Sequence, residues 1–292
     1  MTQKKIIALG FFDGVHLGHQ ALLRACRTLA AEQGLQTAAV TFSQYPGRPG
    51  NTPPLLTTPE DRVALMTRYG IETVYTYPFT EEVRTKPWDV FFRELLALGA
   101  GGFVCGYDYR FGFQGAGTAQ MLQRICQEAG LPCVVVPEQL LDGVRISSTH
   151  IRGLIESGEM EQACRFLGHP HILSGTVVSG KQLGRTIGVP TANLLVPDGV
   201  ICPKFGVYAC KAFVDGKEYL SVTNVGIRPT VNGQNITVES WLQDFSGDLY
   251  GKALTLEFYR FLRPEKKFDT LSALQAEIQK NALQVRKIFE KS

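Results

Sequence analysis

Ile6-Ile7-Ala8-Leu9-Gly10-Phe11-Phe12-Asp13-Gly14-Val15-His16-Leu17-Gly18-His19 reads as an apolar strand that breaks into a glycine-rich turn. From Gln20 onward the apolar residues Leu22, Ala25, Cys26, Leu29 and Ala30 fall at i, i+3, i+4, i+7 and i+8, which is helical spacing. The two histidines therefore stand where a buried strand becomes a helix N-terminus, and there free backbone N–H groups and the helix dipole favour a phosphate. Three residues apart, they share one face of the first turn, so both imidazoles can address one bound group. No cysteine or carboxylate triad accompanies them, which suits hydrogen bonding to phosphate oxygens better than metal ligation. Simple capping of the helix by a histidine is the plainer alternative.

Working outward, Thr37 to Phe42 predicts a second strand, followed by a loop over 43–51 rich in Gly and Pro. A helix is expected from about Pro59, with Val63, Leu65 and Met66 as its apolar residues. Thr73 to Phe79 predicts a third strand, Trp88 to Leu98 a helix burying Val90, Phe91, Leu95 and Leu98, and Phe103 to Tyr107 a fourth strand. Ala119 to Ala129 predicts another helix and Cys133 to Val136 a fifth strand. Such alternation builds a parallel sheet covered by helices on both faces, with ligands at the carboxyl ends of its strands. Three strand-end loops are thus brought near the first motif: one with Phe42 and Tyr45, one with Asp108 and Arg110, and one reading Ile146-Ser147-Ser148-Thr149-His150-Ile151-Arg152. The Ser-Ser-Thr run alone is an ordinary N-cap. With Arg152 one turn further on, hydroxyls, backbone N–H groups and a guanidinium can converge on a triphosphate.

A chain of 292 residues predicts two domains, and 44% hydrophobic with 20% charged residues lets each bury a core. A net charge of +3 without a basic run argues against a nucleic-acid partner. Seven scattered cysteines with no C-x-x-C pair argue against a disulfide framework or a zinc site, and fit small buried side chains in a reduced cytosol. The first residues run straight into a strand and no apolar stretch approaches about 18 residues, so a soluble, untargeted protein is expected.

The pattern G-x-F-D-G-V-H-x-G-H, with an extra Phe here, resembles the nucleotidyltransferase signature of the bacterial bifunctional riboflavin kinase/FAD synthetase family, whose HxGH binds ATP phosphates. The ISSTxIR segment resembles that family's second signature. The resemblance implies transfer of AMP from ATP to FMN, with His16 and His19 catalytic and Gly10, Phe12, Asp13, Gly18, Ser147, Ser148, Thr149 and Arg152 on the nucleotide. Phe42, Tyr45, Asp108 and Arg110 would attend the flavin, Asp108 being equally readable as a turn residue. Two loops depart from the family. TFxPHP is here Thr41-Phe42-Ser43-Gln44-Tyr45-Pro46, and Phe113-Gln114-Gly115-Ala116-Gly117-Thr118 replaces a basic stretch, so Tyr45 could stack on the flavin ring or adenylylation could be weaker.

Gly153 to Leu167 reads as a closing helix and Gly168-His169-Pro170-His171 as a linker whose histidines are bland. Successive strands follow: Gly175 to Val178, Gly206 to Val214, Tyr219 to Val225, Ile236 to Leu242 and Leu254 to Phe261, with a hairpin signal at Asp215-Gly216. They favour a small closed antiparallel barrel, and a final helix with Leu271, Leu274, Ile278, Ala282, Val285 and Phe289 on one stripe would pack on it. Gly180, Gly184 and Gly188 lie four residues apart before Pro190, Thr191 and Asn193; the last two suit Mg²⁺, although the segment alone could be a long turn. It is no Walker A loop, since Gly-Lys-Ser/Thr is absent.

G-x-x-x-G-x-P-T-A-N resembles the riboflavin kinase signature of the same family, which implies ATP at Gly180, Gly184, Gly188 and Pro190 and Mg²⁺ at Thr191 and Asn193. Glu239 on a later strand would be the general base, Asn224 and Arg263 would line the flavin site, and Trp241 stands where a His is common. The expected fold is thus α/β: a doubly wound parallel-sheet (Rossmann-like) nucleotidyltransferase domain over 1–168 and a small antiparallel β-barrel kinase domain with a terminal helix over 169–292. The implied enzyme is cytoplasmic and makes FMN from riboflavin, then FAD from FMN, with ATP and Mg²⁺. Its partners are small molecules, not nucleic acid or membrane, with room for weak self-association. A riboflavin kinase with a degenerate adenylyltransferase domain and a non-catalytic flavin- or nucleotide-binding regulator are the alternatives.

Overall fold

The structure, a computed structural model, describes residues 4–47, 50, 52–179, 188–230 and 233–290. Its contacts divide the chain into two compact units, Met1–Ser148 and Thr149–Ser292.

The first unit alternates strand and helix: β1 (Lys5–Leu9), α1 (Leu17–Gln33), β2 (Gln36–Phe42), α2 (Pro59–Arg68), β3 (Thr73–Tyr77), α3 (Glu81–Thr85), α4 (Trp88–Ala97) and β4 (Ala100–Gly106). It continues through a small hairpin, β5 (Arg110–Phe111) and β6 (Gly117–Thr118), then α5 (Ala119–Glu128), β7 (Cys133–Val136) and a second hairpin, β8 (Leu140–Leu141) with β9 (Val144–Arg145). The five long strands form a parallel sheet in the order β3-β2-β1-β4-β7. Strand order reverses on either side of β1, so the carboxyl ends of β1 and β4 border the crevice where such sheets bind ligands.

The apolar run of β1 is buried throughout because both of its faces are covered. Ile7 and Leu9 join Phe103, Phe91 and Leu122 in one core cluster, while Cys26 of α1 donates its thiol to the Ile6 carbonyl at 3.3 Å. Three helix faces differ from expectation: in α4 only Phe91 and Leu95 are buried, and Val90 and Leu98 are half-buried. α1 buries Leu23 where Ala25 was expected, and α2 buries Arg62 with Leu65 and Met66 while Val63 is only half-buried.

The expected closing helix is two helices, α6 (Ser148–Ser157) and α7 (Met160–Leu167). They part at Gly158, whose φ of +84° is left-handed and cannot continue an α-helix. The segment read as a linker instead enters β10 (His171–Val178), in which His171 is 1% exposed. With β11 (Ala192–Leu195), β12 (Gly206–Val214), β13 (Lys217–Thr230), β14 (Gly233–Leu242) and β15 (Ala253–Arg263), it closes an antiparallel barrel in the order β10-β11-β14-β13-β12-β15. Inside lie Tyr208, Phe258, Leu254 and Leu256, and a triad of buried hydroxyls joins Ser221, Thr223 and Ser240. α8 (Leu271–Phe289) packs Ala282 and Val285 against Val207 and Val222, whereas Leu271, expected on that stripe, is exposed in its first turn. All seven cysteines carry free thiols.

His171 gives the second unit an acid sensitivity. Its Nε2 has no hydrogen-bond partner among the described residues, and burial, then neighbouring His169, hold its pKa down to about 3. The unfolded chain takes up that proton below the ordinary ~6.5, so stability should fall as pH drops from about 6.5 toward 3. His171→Leu is expected to shift the acid-unfolding midpoint, followed by circular dichroism, to lower pH; an unmoved midpoint would contradict this.

Candidate functional site

In the first unit, the turn after β1 brings His16 to the N-cap of α1, where its Nδ1 accepts from the His19 amide at 3.3 Å. The capping alternative is therefore realised at His16. The two imidazoles stack with centroids 3.6 Å apart and planes 11° apart, and the edge of Phe12 closes on His19 at 5.3 Å. Burial, then His16, then Arg62, hold the His19 pKa well below the usual imidazole range, so the ring is neutral near pH 7. Its Nδ1 is buried and unpartnered within the described residues.

Both histidines line a cavity of about 510 Å³ at the carboxyl ends of β1 and β4. Gly10, Gly18, Phe42, Asp108, Arg110, Ser147 and Ser148 share that wall, and the Ser148 hydroxyl donates to the Asp13 carbonyl at 3.0 Å. Phe12 and Asp13 do not line it. Phe12 is fully buried beneath the turn, and Asp13 Oδ1 accepts from the amides of Leu56 at 2.8 Å and Thr57 at 3.2 Å, which ties the turn to the segment ahead of α2. Tyr45 sets its ring edge against Phe11 at 5.8 Å, leaving Pro46 on the cavity wall. Thr149 and Arg152 continue the helix begun by Ser148 and belong to the second contact unit.

Cations that the sequence reading missed also reach this cavity. Lys86 lines it, bonded to Glu94 at 2.6 Å, and its carbonyl accepts from the Phe113 amide at 2.7 Å. Arg84 beside it pairs with Glu81. Arg145 joins Asp108 at 2.8 Å and Glu138 at 3.2 Å, and the Tyr107 hydroxyl completes that wall on Glu138 at 2.8 Å. Aromatic rings together with histidines and serines on one cavity wall suit a ligand that has both a planar ring and a phosphate.

The second unit carries its own site. Barrel register pairs Asn193 of β11 with Glu239 of β14, and Glu239 with Asn224 of β13. Partners directly opposite point to the same face, so one carboxylate stands between two amides on three adjacent strands. Their neighbours Ser240 and Thr223 point inward to the hydroxyl triad, which fixes Glu239 and Asn224 on the outer face. A cavity of about 230 Å³ there is lined by Thr191, Asn224, Glu239, Trp241 and Arg263 and covered by Leu274 and Ile278 of α8. A neighbouring cavity of about 250 Å³ is lined by Pro190 and Thr191 with Phe245, Asp248 and Tyr250. Thr191 borders both.

Arg263 Nε donates to Asn281 Oδ1 at 3.1 Å with Glu277 at 3.5 Å, and Asn224 donates to Glu265 at 3.3 Å. Glu277 and Asn281 are contributions of α8 that its apolar stripe concealed. Gly188 is in the turn before Val189, whereas Gly180 and Gly184 lie outside the described residues.

Comparison with known proteins agrees with two functional modules. The family profile described as FAD synthetase matches residues 1–150, and that described as riboflavin kinase matches 167–289. The bifunctional riboflavin kinase/FMN adenylyltransferase of Listeria monocytogenes is 36% identical over 98% of this chain and 93% of its own length. Its namesake in Bacillus subtilis is 35% identical over the same shares. A crystal structure described as a macrolide-efflux protein from Streptococcus pneumoniae superposes with a TM-score of 0.87 at 30% identity, covering 98% of this chain and 95% of that one. Among the described residues here, no helix is long and apolar enough to cross a membrane.

Proposed function

This chain belongs to the family of bifunctional riboflavin kinase/FMN adenylyltransferases, and from that premise we propose how its residues divide the two reactions. The chain is a transferase of flavin cofactor synthesis, with riboflavin kinase and FMN adenylyltransferase activities and with ATP and flavins as substrates.

In the barrel, Glu239 takes the proton of the riboflavin 5′-hydroxyl as its oxygen attacks the γ-phosphorus of ATP, and ADP leaves. An alcohol is a poor nucleophile at neutral pH, so a carboxylate within reach lowers the barrier. Asn224 and Arg263 hold the flavin, while Pro190, Gly188, Gly180 and Gly184 attend the nucleotide. The observation that carries this reading is the Asn193–Glu239–Asn224 row, whose Glu239 and Asn224 line one of two cavities that share Thr191. Thr191 and Asn193 offer neutral oxygen donors that fit Mg²⁺, an ion that keeps waters and takes phosphate oxygens as its other ligands. Mg²⁺ there would offset negative charge on the transferred phosphate.

In the first unit, an FMN phosphate oxygen attacks the α-phosphorus of ATP and the bond to pyrophosphate breaks, with no covalent enzyme intermediate. His16, His19, Ser147 and Ser148 stabilise charge on the phosphates, Gly10 and Gly18 let backbone approach, and Thr149 and Arg152 add donors from the same helix as Ser148. Phe12 and Asp13 act by shaping the turn. Phe42, Tyr45, Asp108 and Arg110 make up the flavin side. We place the functional modules at 1–168 and 169–292, in a cytoplasmic enzyme whose partners are small molecules, neither nucleic acid nor membrane, and which tolerates weak self-association.

Isotope position tests this assignment. γ-labelled ATP should mark FMN, and α-labelled ATP should mark FAD alone; α label in FMN would contradict it. The loop after Phe111 supplies a second test. Gly112 has φ +73°, and a Cβ there would lie 2.6 Å from the Trp88 Cα, so Gly112→Ala must push the loop from α4. The KM for FMN in adenylylation is expected to rise about tenfold, with riboflavin phosphorylation unchanged. An unchanged KM would show that the loop does not grip the flavin.

A further inference from the structure

Arg62 is fully buried on α2, yet its guanidinium meets neutral oxygens: the Phe42 carbonyl at 2.6 Å, the Thr41 hydroxyl at 3.5 Å and the Thr57 carbonyl at 3.5 Å. The Phe11 ring lies over it at 4.2 Å, and its Nε has no hydrogen-bond partner among the described residues. The other buried positions of that helix, Leu65 and Met66, are apolar, as packing alone would favour. A buried cation is costly where a leucine would fit, so its retention calls for a use beyond packing.

What the guanidinium touches is the frame of the phosphate turn. Thr41 donates to the Phe11 carbonyl at 2.7 Å, and Phe11 and Phe42 are both on the cavity wall. Thr57, which receives Arg62 on its carbonyl, also gives its amide to Asp13 and accepts from the Gly14 amide at 3.1 Å on its hydroxyl. Arg62 thus bridges the end of β2 to the segment that anchors the turn carrying His16 and His19.

We infer that Arg62 is a positioning residue for adenylyl transfer, locking the Phe11–Phe42 wall to the histidine turn and placing a positive charge beneath the ATP phosphates. The inference rests on the first cavity being the adenylyl-transfer site. The same charge acts on His19, as does the neighbouring His16; Asp13 and Glu60 are the acidic groups that face Arg62.

The test uses the full chain with Arg62→Gln and Arg62→Lys. FMN adenylylation is measured against ATP concentration at pH values from about 5.5 to 9, with a thermal melt for the folded fraction. Arg62→Gln is expected to raise the KM for ATP about tenfold, more than it lowers kcat, and to move the acid limb of the profile to higher pH. Arg62→Lys keeps the charge but not the fork, so it should keep the wild-type limb with an intermediate KM. A folded Arg62→Gln enzyme with wild-type KM and limb would overturn the inference, as would losses in both variants that only track the folded fraction. Should Arg62→Gln not fold, Arg62→Lys decides: a raised KM on an unmoved limb supports the role, and an unchanged KM or a shifted limb overturns it. Failure of the underlying site reading is distinct, since His19→Ala would then leave FAD formation intact.

Discussion

Glu239→Ala is expected to lower riboflavin phosphorylation by about 10²–10⁴-fold while the same protein still converts supplied FMN to FAD. The carboxylate stands between Asn193 and Asn224 on neighbouring strands, and it borders the cavity that Arg263 also lines. Alanine at this outward position leaves the Ser221–Thr223–Ser240 triad inside the barrel untouched, so the fold should survive. Loss of the base should therefore appear in kcat, with the KM for riboflavin changing little. Glu239→Gln separates proton transfer from hydrogen bonding: it should be as slow as alanine if the carboxylate is the base. Equal loss of both activities in Glu239→Ala would refute the assignment.

The reciprocal result is expected from His19→Ala, which should cut FAD formation by about 10²–10³-fold and leave FMN formation unchanged. Stacked on His16 at 3.6 Å and held neutral by burial, His19 offers a ring N–H to a phosphate oxygen without bringing a second full charge into the turn. Its removal does not delete the N-cap, because the cap acceptor is His16 Nδ1 and the donor is the His19 backbone amide. His16→Ala should differ for that reason, losing about 1 kcal/mol of helix stability in addition to activity. Measured melting temperatures separate the two variants.

The parallel sheet was legible because most of its strands are short runs rich in apolar residues set off by Gly, Pro or a polar helix, although the edge strand β3, Thr-Val-Tyr-Thr-Tyr, is nowhere fully buried. Ile6 to Leu9 is buried on both faces, and such runs need no alternation to be recognised. The strand order then placed the Gly10–His19 turn beside the Gly106–Gly112 loop. The barrel was also readable, but its second strand, β11, overlaps the Pro190-Thr191-Ala192-Asn193 motif and went unread, since four residues carry too little periodicity to stand out.

Side-chain roles were less legible, for physical reasons. α3 is five residues long with Val83 as its one apolar side chain, too little to make an apolar stripe, so neither its helix nor the approach of Arg84 and Lys86 to the cavity had a local signature. Arg62 was passed over because a helix face is read from apolar spacing, and Val63 next to it fitted that reading. Asp13 belongs to the signature turn yet points its carboxylate at Leu56 and Thr57, an arrangement set by residues 43 and 44 positions away. His171 looked like part of a linker because a proline precedes it, whereas strand pairing with Phe258 of β15 draws it into the barrel.

The most direct test of two reactions in one chain is a time course of flavins, separated chromatographically, after the protein is mixed with riboflavin, ATP and Mg²⁺. The account predicts that FMN appears first and then gives way to FAD, despite the Thr41-Phe42-Ser43-Gln44-Tyr45-Pro46 loop. FMN that accumulates and persists in excess ATP would contradict it.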